Sequence, residues 1–264
     1  AASDQFKDDI SHGTKVFSLI AGKLNKINVV PIKVTDYAKL ARAQHIIDGS
    51  DKKAKEEYRA TDDLIIATAF RLVAYLAPIY REHGYHCIVN ASLVSAESDL
   101  TSEEKAAWKS ALTRLAQLKI PLVTGLGQSK SGGEFASAYP SAFDLKNIIT
   151  VVSHGEDGDL SSFSNYSREV DFMVPGENQK VTFSKDFIHY DNLPENVREH
   201  PKATGNSIAV ANGTAIIAYL LEKDYSYQSI METIKSRGYM GLTAEELSEN
   251  YQIGTCEIFT NALK

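Results

Sequence analysis

Short runs of β-branched and apolar residues alternate with helical patterns along this chain, and that alternation limits its folds more than any other feature. Ile27–Val34 (INVVPIKV), Cys87–Leu93 (CIVNASL), Ile120–Thr124 (IPLVT), Asn147–Ser153 (NIITVVS) and Val170–Val174 (VDFMV) read as strands. Continuous apolar runs this short suit a parallel sheet buried on both faces. Between them lie helical patterns. Ser11–Leu24 and Leu64–Glu82 are two, with Pro78 expected to bend or end the second. Leu100–Leu118 opens on Thr101-x-x-Glu104, a capping box. Ser207–Glu222 is apolar around nearly its whole circumference, so it belongs inside the domain. Ser226–Arg237 and Thr243–Asn250 complete the set, and Lys39–Asp63, polar and charged, reads as an inserted surface helix or loop. Strand and helix in alternation predict an α/β fold with a doubly wound parallel sheet. Ligand sites in such sheets lie beyond the carboxyl ends of the strands.

Composition narrows the function classes. With 264 residues and 43% hydrophobic and 23% charged residues, the chain suits one globular domain over residues 1–264. A net charge of −6 argues against a broad nucleic-acid footprint. No unbroken apolar run reaches the ~20 residues of a membrane span. Two cysteines, Cys87 and Cys256, are too few for a disulfide framework or a thiolate zinc site, and read either as one pair or as two buried thiols. The first residue is Ala1 and no signal-peptide core follows, so a processed or cut product is expected.

Three segments carry residues suited to nucleophilic catalysis. Asp8–Gly22 (DDISHGTKVFSLIAG) opens a helix with His12-Gly13-Thr14. Thr204–Tyr219 (TGNSIAVANGTAIIAY) places Ser207 after Gly-Asn at the head of the buried helix. Leu122–Gly133 (LVTGLGQSKSGG) runs a strand into a Gly-rich loop with Gln128 at its edge. Taken singly, each has a plain structural reading. A serine at a helix start is usually an N-cap, a lone histidine there a surface or core residue, and a Gly-rich loop a turn.

Together the three resemble the subtilisin family of serine proteases (subtilases). DDISHGTKVFSLIAG resembles its histidine segment, VNASLV its substrate-binding strand, VTGLGQ its oxyanion loop and TGNSIAVANGTAIIAYLL its nucleophile segment. YPSAFDLKNIITV and SFSNYSREVDFMVPGE resemble the two strand segments between. All six occur in the family's order. The resemblance implies a three-layer sheet-and-helix fold and a peptide-bond hydrolase working through an acyl-enzyme. Ser207 would be the nucleophile and His12 its general base. The backbone N–H of Ser207 and the amide of Gln128 would bind the oxyanion. Ser92, Leu93 and Val94 with Thr124, Gly125 and Leu126 would flank the pocket for the residue before the scissile bond, and Asn206 would border it. Val94 and Leu126 then predict a small or modest apolar side chain there.

The chain departs from the family pattern in four ways. The family's acid precedes the histidine on a buried strand ending in Asp-Ser/Thr-Gly, whereas only eleven residues precede His12. Asp8 and Asp9 are weak substitutes on a loop normally open to solvent. Losing the acid costs about 10⁴-fold in rate. An upstream segment, cut away and retained as a separate piece, is the expected partner. Gln128 stands for the family's asparagine and Val94 for its usual glycine. Asn206, Ala211 and Asn212 replace threonine, proline and histidine.

These departures leave two readings: an active, specialised endopeptidase, or a weak or inactive relative kept for binding or assembly. A nucleophile-elbow esterase fits poorly, since Gly205-Asn206-Ser207-Ile208-Ala209 ends in alanine and the histidine comes first. No cofactor is expected. Asp157 and Asp159 offer two oxygens to a structural calcium ion but also suit a solvated turn, and the histidines lack metal-ligand spacing. Peptides or proteins are the expected substrates, with secretion or the periplasm as the expected setting.

Overall fold

The computed structural model describes residues 11–24, 27–34, 52–135, 137–185 and 190–237. Helix α1 spans His12–Ala21 and α2 spans Lys52–Glu82. Strand β1 (Val89–Ala91), helix α3 (Ser102–Gln117), strand β2 (Leu122–Thr124), strand β3 (Ile148–His154) and strand β4 (Phe172–Pro175) follow. Helices α4 (Asn206–Glu222) and α5 (Tyr227–Arg237) end the described chain.

The four strands form one parallel sheet in the order β1-β2-β3-β4. Val89 pairs with Leu122, Leu122 with Ile148, and Val151 with Phe172. Successive side chains point to opposite faces, so the sheet feeds two cores. On one face Val123, Ile149, Val151, Phe172 and Val174 meet α4 and α5 through Ile216, Ile217, Leu220, Ile230 and Met231. On the other, Leu122 and Ile148 meet α2 and α3 through Phe70, Ala74, Trp108, Leu112 and Leu115. Each fully buried Leu or Ile contributes about 1.5–3 kcal/mol. The result is a three-layer α/β fold with helices on both faces of the sheet.

Local signals account for much of this. The Thr101 capping box is complete: Thr101 Oγ1 accepts the Glu104 N–H at 3.2 Å, and Glu104 Oε2 accepts the Thr101 N–H at 2.7 Å. Helix α4 is buried on all sides. Gly213 lets it lie directly on the sheet, since a Cβ there would sit 3.2 Å from a Val151 methyl and 3.4 Å from a Val123 methyl. Trp108 anchors α3 to α2, donating from Nε1 to the Asp63 carbonyl at 2.8 Å and meeting Phe70 edge-on at 5.7 Å.

Several expectations are corrected. Ile27–Val34 forms no strand; its residues alternate between half-buried and exposed without a ladder partner among the described residues. Pro31 removes one ladder donor from its middle. Helix α2 reaches Glu82, the bound its pattern predicts, and of the two effects expected of Pro78 it does not show the ending. It also begins at Lys52, absorbing the end of the stretch read as a surface insertion; the rest of that stretch, Thr243–Asn250 and Cys256 lie outside the described residues. Within α2, Asp63–Glu82 is long and apolar enough to cross a membrane by length and composition. One face of it, carrying Ala67, Phe70, Ala74 and Ala77, is part of the core under the sheet. Cys87 carries a free thiol that donates to the Ala77 carbonyl at 3.7 Å.

Candidate active site

The carboxyl ends of β1, β2 and β3 face the amino end of α4. Gly205 is the N-cap of α4, with φ 151° and ψ 163°. A side chain would be strained in that conformation, and its Cβ would stand 2.9 Å from Gln128 Oε1. The cap therefore falls two residues before Ser207, whose hydroxyl is not the helix cap. Ser207 is the second helical residue and is partly exposed, while Gly205, Asn206 and Ile208 around it are buried.

A helix start leaves its first N–H groups without intrahelical acceptors. Here almost all find one. The Gly205 N–H donates to the Gly176 carbonyl at 2.8 Å, and the Ile208 and Ala209 N–H groups donate to the Gly205 carbonyl at 3.0 and 3.2 Å. The Asn206 N–H donates to Gln128 Oε1 at 3.0 Å. Among the described residues, the N–H of Ser207 alone in this run has no acceptor. It lies at the positive end of a 17-residue helix, where negative charge is favoured.

Gln128 is exposed at the edge of the loop that follows β2. Because its oxygen takes an N–H, the amide nitrogen Nε2 is the donor it presents elsewhere. The extra methylene relative to asparagine lets this side chain reach the helix start from the loop.

Ser92 Oγ accepts from Asn90 Nδ2 at 3.0 Å and donates to the Ser207 carbonyl at 3.1 Å, tying the end of β1 to the head of α4. Thr214 Oγ1 adds a second tie, to Asn90 Oδ1 at 2.9 Å. Thr124 is fully buried, and its Oγ1 donates to the Leu93 carbonyl at 3.2 Å. Gly125 lies against Val210, and its carbonyl accepts from Ser141 Oγ at 3.3 Å. The segments 92–94 and 124–126 thus lie side by side.

Two of the residues expected at the groove point inward. Leu126 is 1% exposed and packs in a small core with Val152, Met173 and Ala138, with Val94 half-buried against it. Asn206 is 3% exposed, and its carboxamide is engaged with Ser153, Ser164 and Gly127. Val94 lies against the residue that follows the second segment: one of its methyls is 2.9 Å from where a Cβ on Gly127 would be.

His12 is the first residue of α1 and is exposed. Ser11 before it is buried in a left-handed conformation, φ 61°, and its Oγ accepts the Ser184 N–H at 2.7 Å. Val16, Leu19 and Ile20 of α1 pack with Ile208 and Ala211 of α4. Lys23 Nζ donates to Asn212 Oδ1 at 2.5 Å. The helices that begin with His12 and with Asn206-Ser207 are thus packed on one another.

Residues without an assigned role in the sequence reading also build the site. Asn165 Nδ2 donates to the Leu126 carbonyl at 3.1 Å, and Ser153 and Ser164 face Asn206. Their signal lay in the small polar residues of SFSNYS and in the serine that follows the Val151-Val152 pair of β3. At the Asp157 turn, Asp157 Oδ1 accepts the Asp159 N–H at 3.1 Å. Among the described residues no group of three or more metal-ligating side chains converges.

Residues 1–254 match the subtilase family, Peptidase S8. A subtilisin-like proteinase, Mp1 of Magnaporthiopsis poae, is 26% identical over 245 residues, covering 89% of this chain and 50% of that protein. The chain thus spans about half the length of this curated relative. The crystal structure of a lanthipeptide protease superposes with a TM-score of 0.60 at 19% identity, over 88% of this chain and 68% of that one. A cold-adapted subtilisin-like serine proteinase gives 0.47 at 18% identity, over 66% and 54%.

Proposed function

The chain belongs to the subtilase family, and on that premise we propose that it is a serine endopeptidase with Ser207 as nucleophile and His12 as general base. A serine hydroxyl is a poor nucleophile near neutral pH and needs an adjacent base. In this reading the His12 imidazole takes the Ser207 proton as Oγ bonds to the substrate carbonyl carbon. The carbon–nitrogen bond then breaks, and the same proton passes to the leaving amine. Water, deprotonated by His12, opens the acyl-enzyme and restores the serine. The negative charge on the carbonyl oxygen is met by the Ser207 N–H and by Gln128 Nε2.

The observation that carries this reading is the state of the α4 start. Every neighbouring N–H in the run from Gly205 to Ala209 has an acceptor, and the one on Ser207 is left for a ligand. Preorganised donors of this kind need no reorganisation during reaction, and losing one costs about 10²–10³ in rate.

The acid of the triad belongs, in this proposal, to a further strand beside β1, outside the described residues. The sheet supports it. Among the described residues β1 pairs only with β2, leaving its other edge unpaired, and Ile27–Val34 is a second apolar segment without a ladder. An apolar sheet edge is normally paired or covered. A strand on the open edge of β1 would carry a carboxylate to the same carboxyl ends that hold Ser92 and Ser207.

Peptides or proteins are the substrates, bound along segments 92–94 and 124–126. With Val94 against Gly127, the pocket favours a small or modest apolar residue before the scissile bond. Fastest cleavage after Arg or Lys would overturn that specificity. The matched relatives are proteinases, so a purely binding role draws no support from them. A peptide-hydrolysis assay on the purified protein, with Ser207→Ala and His12→Ala beside it, tests the reading, and intact-mass analysis of the same material tests for a separate piece carrying that strand. Hydrolysis abolished in both variants supports the assignment. Undiminished hydrolysis in either one removes that residue from the mechanism.

A further inference from the structure

We propose that Asn206 is the positioning residue of this site: its buried carboxamide fixes the Ser207 backbone relative to the Gln128 loop. The inference rests on the reading of Ser207 as the nucleophile. It also reassigns Asn206 from the groove to the layer beneath it.

The orientation of the amide is dictated by its neighbours. The Ser153 N–H is an obligatory donor and lies 2.9 Å from Oδ1, so the oxygen must face the end of β3. The Gly127 carbonyl is an obligatory acceptor and takes Nδ2. Ser164 Oγ stands 2.9 Å from the same Oδ1, sharing its hydroxyl hydrogen with the Asn165 carbonyl at 3.1 Å. The backbone N–H of Asn206 completes the set by donating to Gln128 Oε1 at 3.0 Å.

One residue, directly before the nucleophile, therefore binds the strand end, the 125–128 loop and the 161–165 segment at once. The Gly127 and Gln128 contacts bear most directly on chemistry. They hold the loop that carries the Gln128 donor to the helix that carries the Ser207 donor. Burial at 3% exposure makes these bonds stiff, because no water replaces them when they stretch. Rate is sensitive to such placement, and an error of ~1 Å can cost about 10²-fold.

The test uses diisopropyl fluorophosphate, whose phosphorus is attacked by the serine while fluoride leaves. The full chain is compared with Asn206→Asp and with Ser164→Ala, each at a temperature well below its own melting midpoint. Wild type should be labelled at Ser207. Asn206→Asp keeps the shape and the Oδ1 acceptor but turns a second oxygen toward the Gly127 carbonyl. Its maximal labelling rate should fall by about 10²-fold, the scale of a ~1 Å displacement, with half-saturating reagent within about twofold. Its deficit relative to wild type should shrink as pH falls, because the new carboxyl regains an O–H donor when protonated. Ser164→Ala, a milder change that loosens the same carboxamide should the first variant not fold, should lower the rate in the same sense without moving half-saturation. Labelled wild type beside folded variants that react at the wild-type rate would overturn the role of Asn206. Absence of label on wild-type Ser207 would instead overturn the nucleophile assignment, and the inference with it.

Discussion

Gln128 Oε1 accepts the backbone N–H of Asn206 at 3.0 Å, so a loop side chain caps the helix whose second residue is the proposed nucleophile. The Gln128 oxygen is committed to the helix start, and its Nε2 is, in the proposed mechanism, the donor to the oxyanion.

Replacing Gln128 should therefore have two separable consequences. Gln128→Ala removes both the cap and the donor; kcat/KM should fall about 10²–10³-fold, with a stability loss of about 1 kcal/mol from the missing cap. Gln128→Glu keeps the acceptor and loses the donor, so it should retain the stability and lose the rate. Peptide-hydrolysis kinetics beside urea denaturation would separate the two.

Gly205→Ala places a Cβ at 2.9 Å from Gln128 Oε1 and forces an alanine to φ 151°. The expected cost is about 1–3 kcal/mol for the backbone conformation alone. Chemical denaturation should reveal it, and activity should fall with it because Asn206 and Ser207 follow directly.

The Thr101–Glu104 capping box lies at the head of α3, among contacts the site does not use. Thr101→Ala should lower stability by about 0.5–2 kcal/mol. Assayed below the melting transition, its kcat/KM should match the unmodified protein. A thermal melt and a single substrate titration suffice.

Val94→Gly should open the space now closed between residues 94 and 127. Removing an obstructing side chain of this size changes discrimination by about 1–3 kcal/mol, so peptides with larger residues before the scissile bond should gain about tenfold or more relative to small ones. Competition between two such peptides, read by mass spectrometry, checks this.

Burial pushes the Cys87 thiol upward, only partly offset by the Arg81 charge nearby. The thiol is therefore neutral at physiological pH, and iodoacetamide should react slowly there. The rate should rise with a midpoint above that of an unperturbed thiol. Because the folded value is raised, the contribution to stability is present below the unfolded pKa. It fades as pH climbs from that value to the folded one. Cys87→Ala should flatten that alkaline decline.

The parallel sheet was legible because its strands are short β-branched runs: β1 and β2 fall within segments that read as strands, and β3 and β4 each run one residue past theirs, to His154 and Pro175. The capping box and the all-round burial of α4 were legible for a similar reason: each is written in one contiguous stretch. Ile27–Val34 shows where that reasoning stops. Its composition suits a strand, but a strand exists only through a neighbour, and no local pattern reports the neighbour. Asn206 is the same case within the site. Its position before Ser207 suggested a place on the groove, yet the side chain turns inward because Ser153 and Gly127, remote in sequence, present a donor and an acceptor there. The cap of α4 likewise moved from the serine to Gly205, because only glycine fits beside Gln128.

Reaction of Ser207 itself is the most direct test. The purified protein would be incubated with a fluorophosphonate, digested, and mapped by mass spectrometry, with His12→Ala and Ser207→Ala treated alongside. The account predicts one phosphonyl adduct on Ser207, greatly slowed in His12→Ala and absent in Ser207→Ala. Wild-type protein that stays unlabelled, or an adduct that forms equally fast without the His12 imidazole, would contradict it.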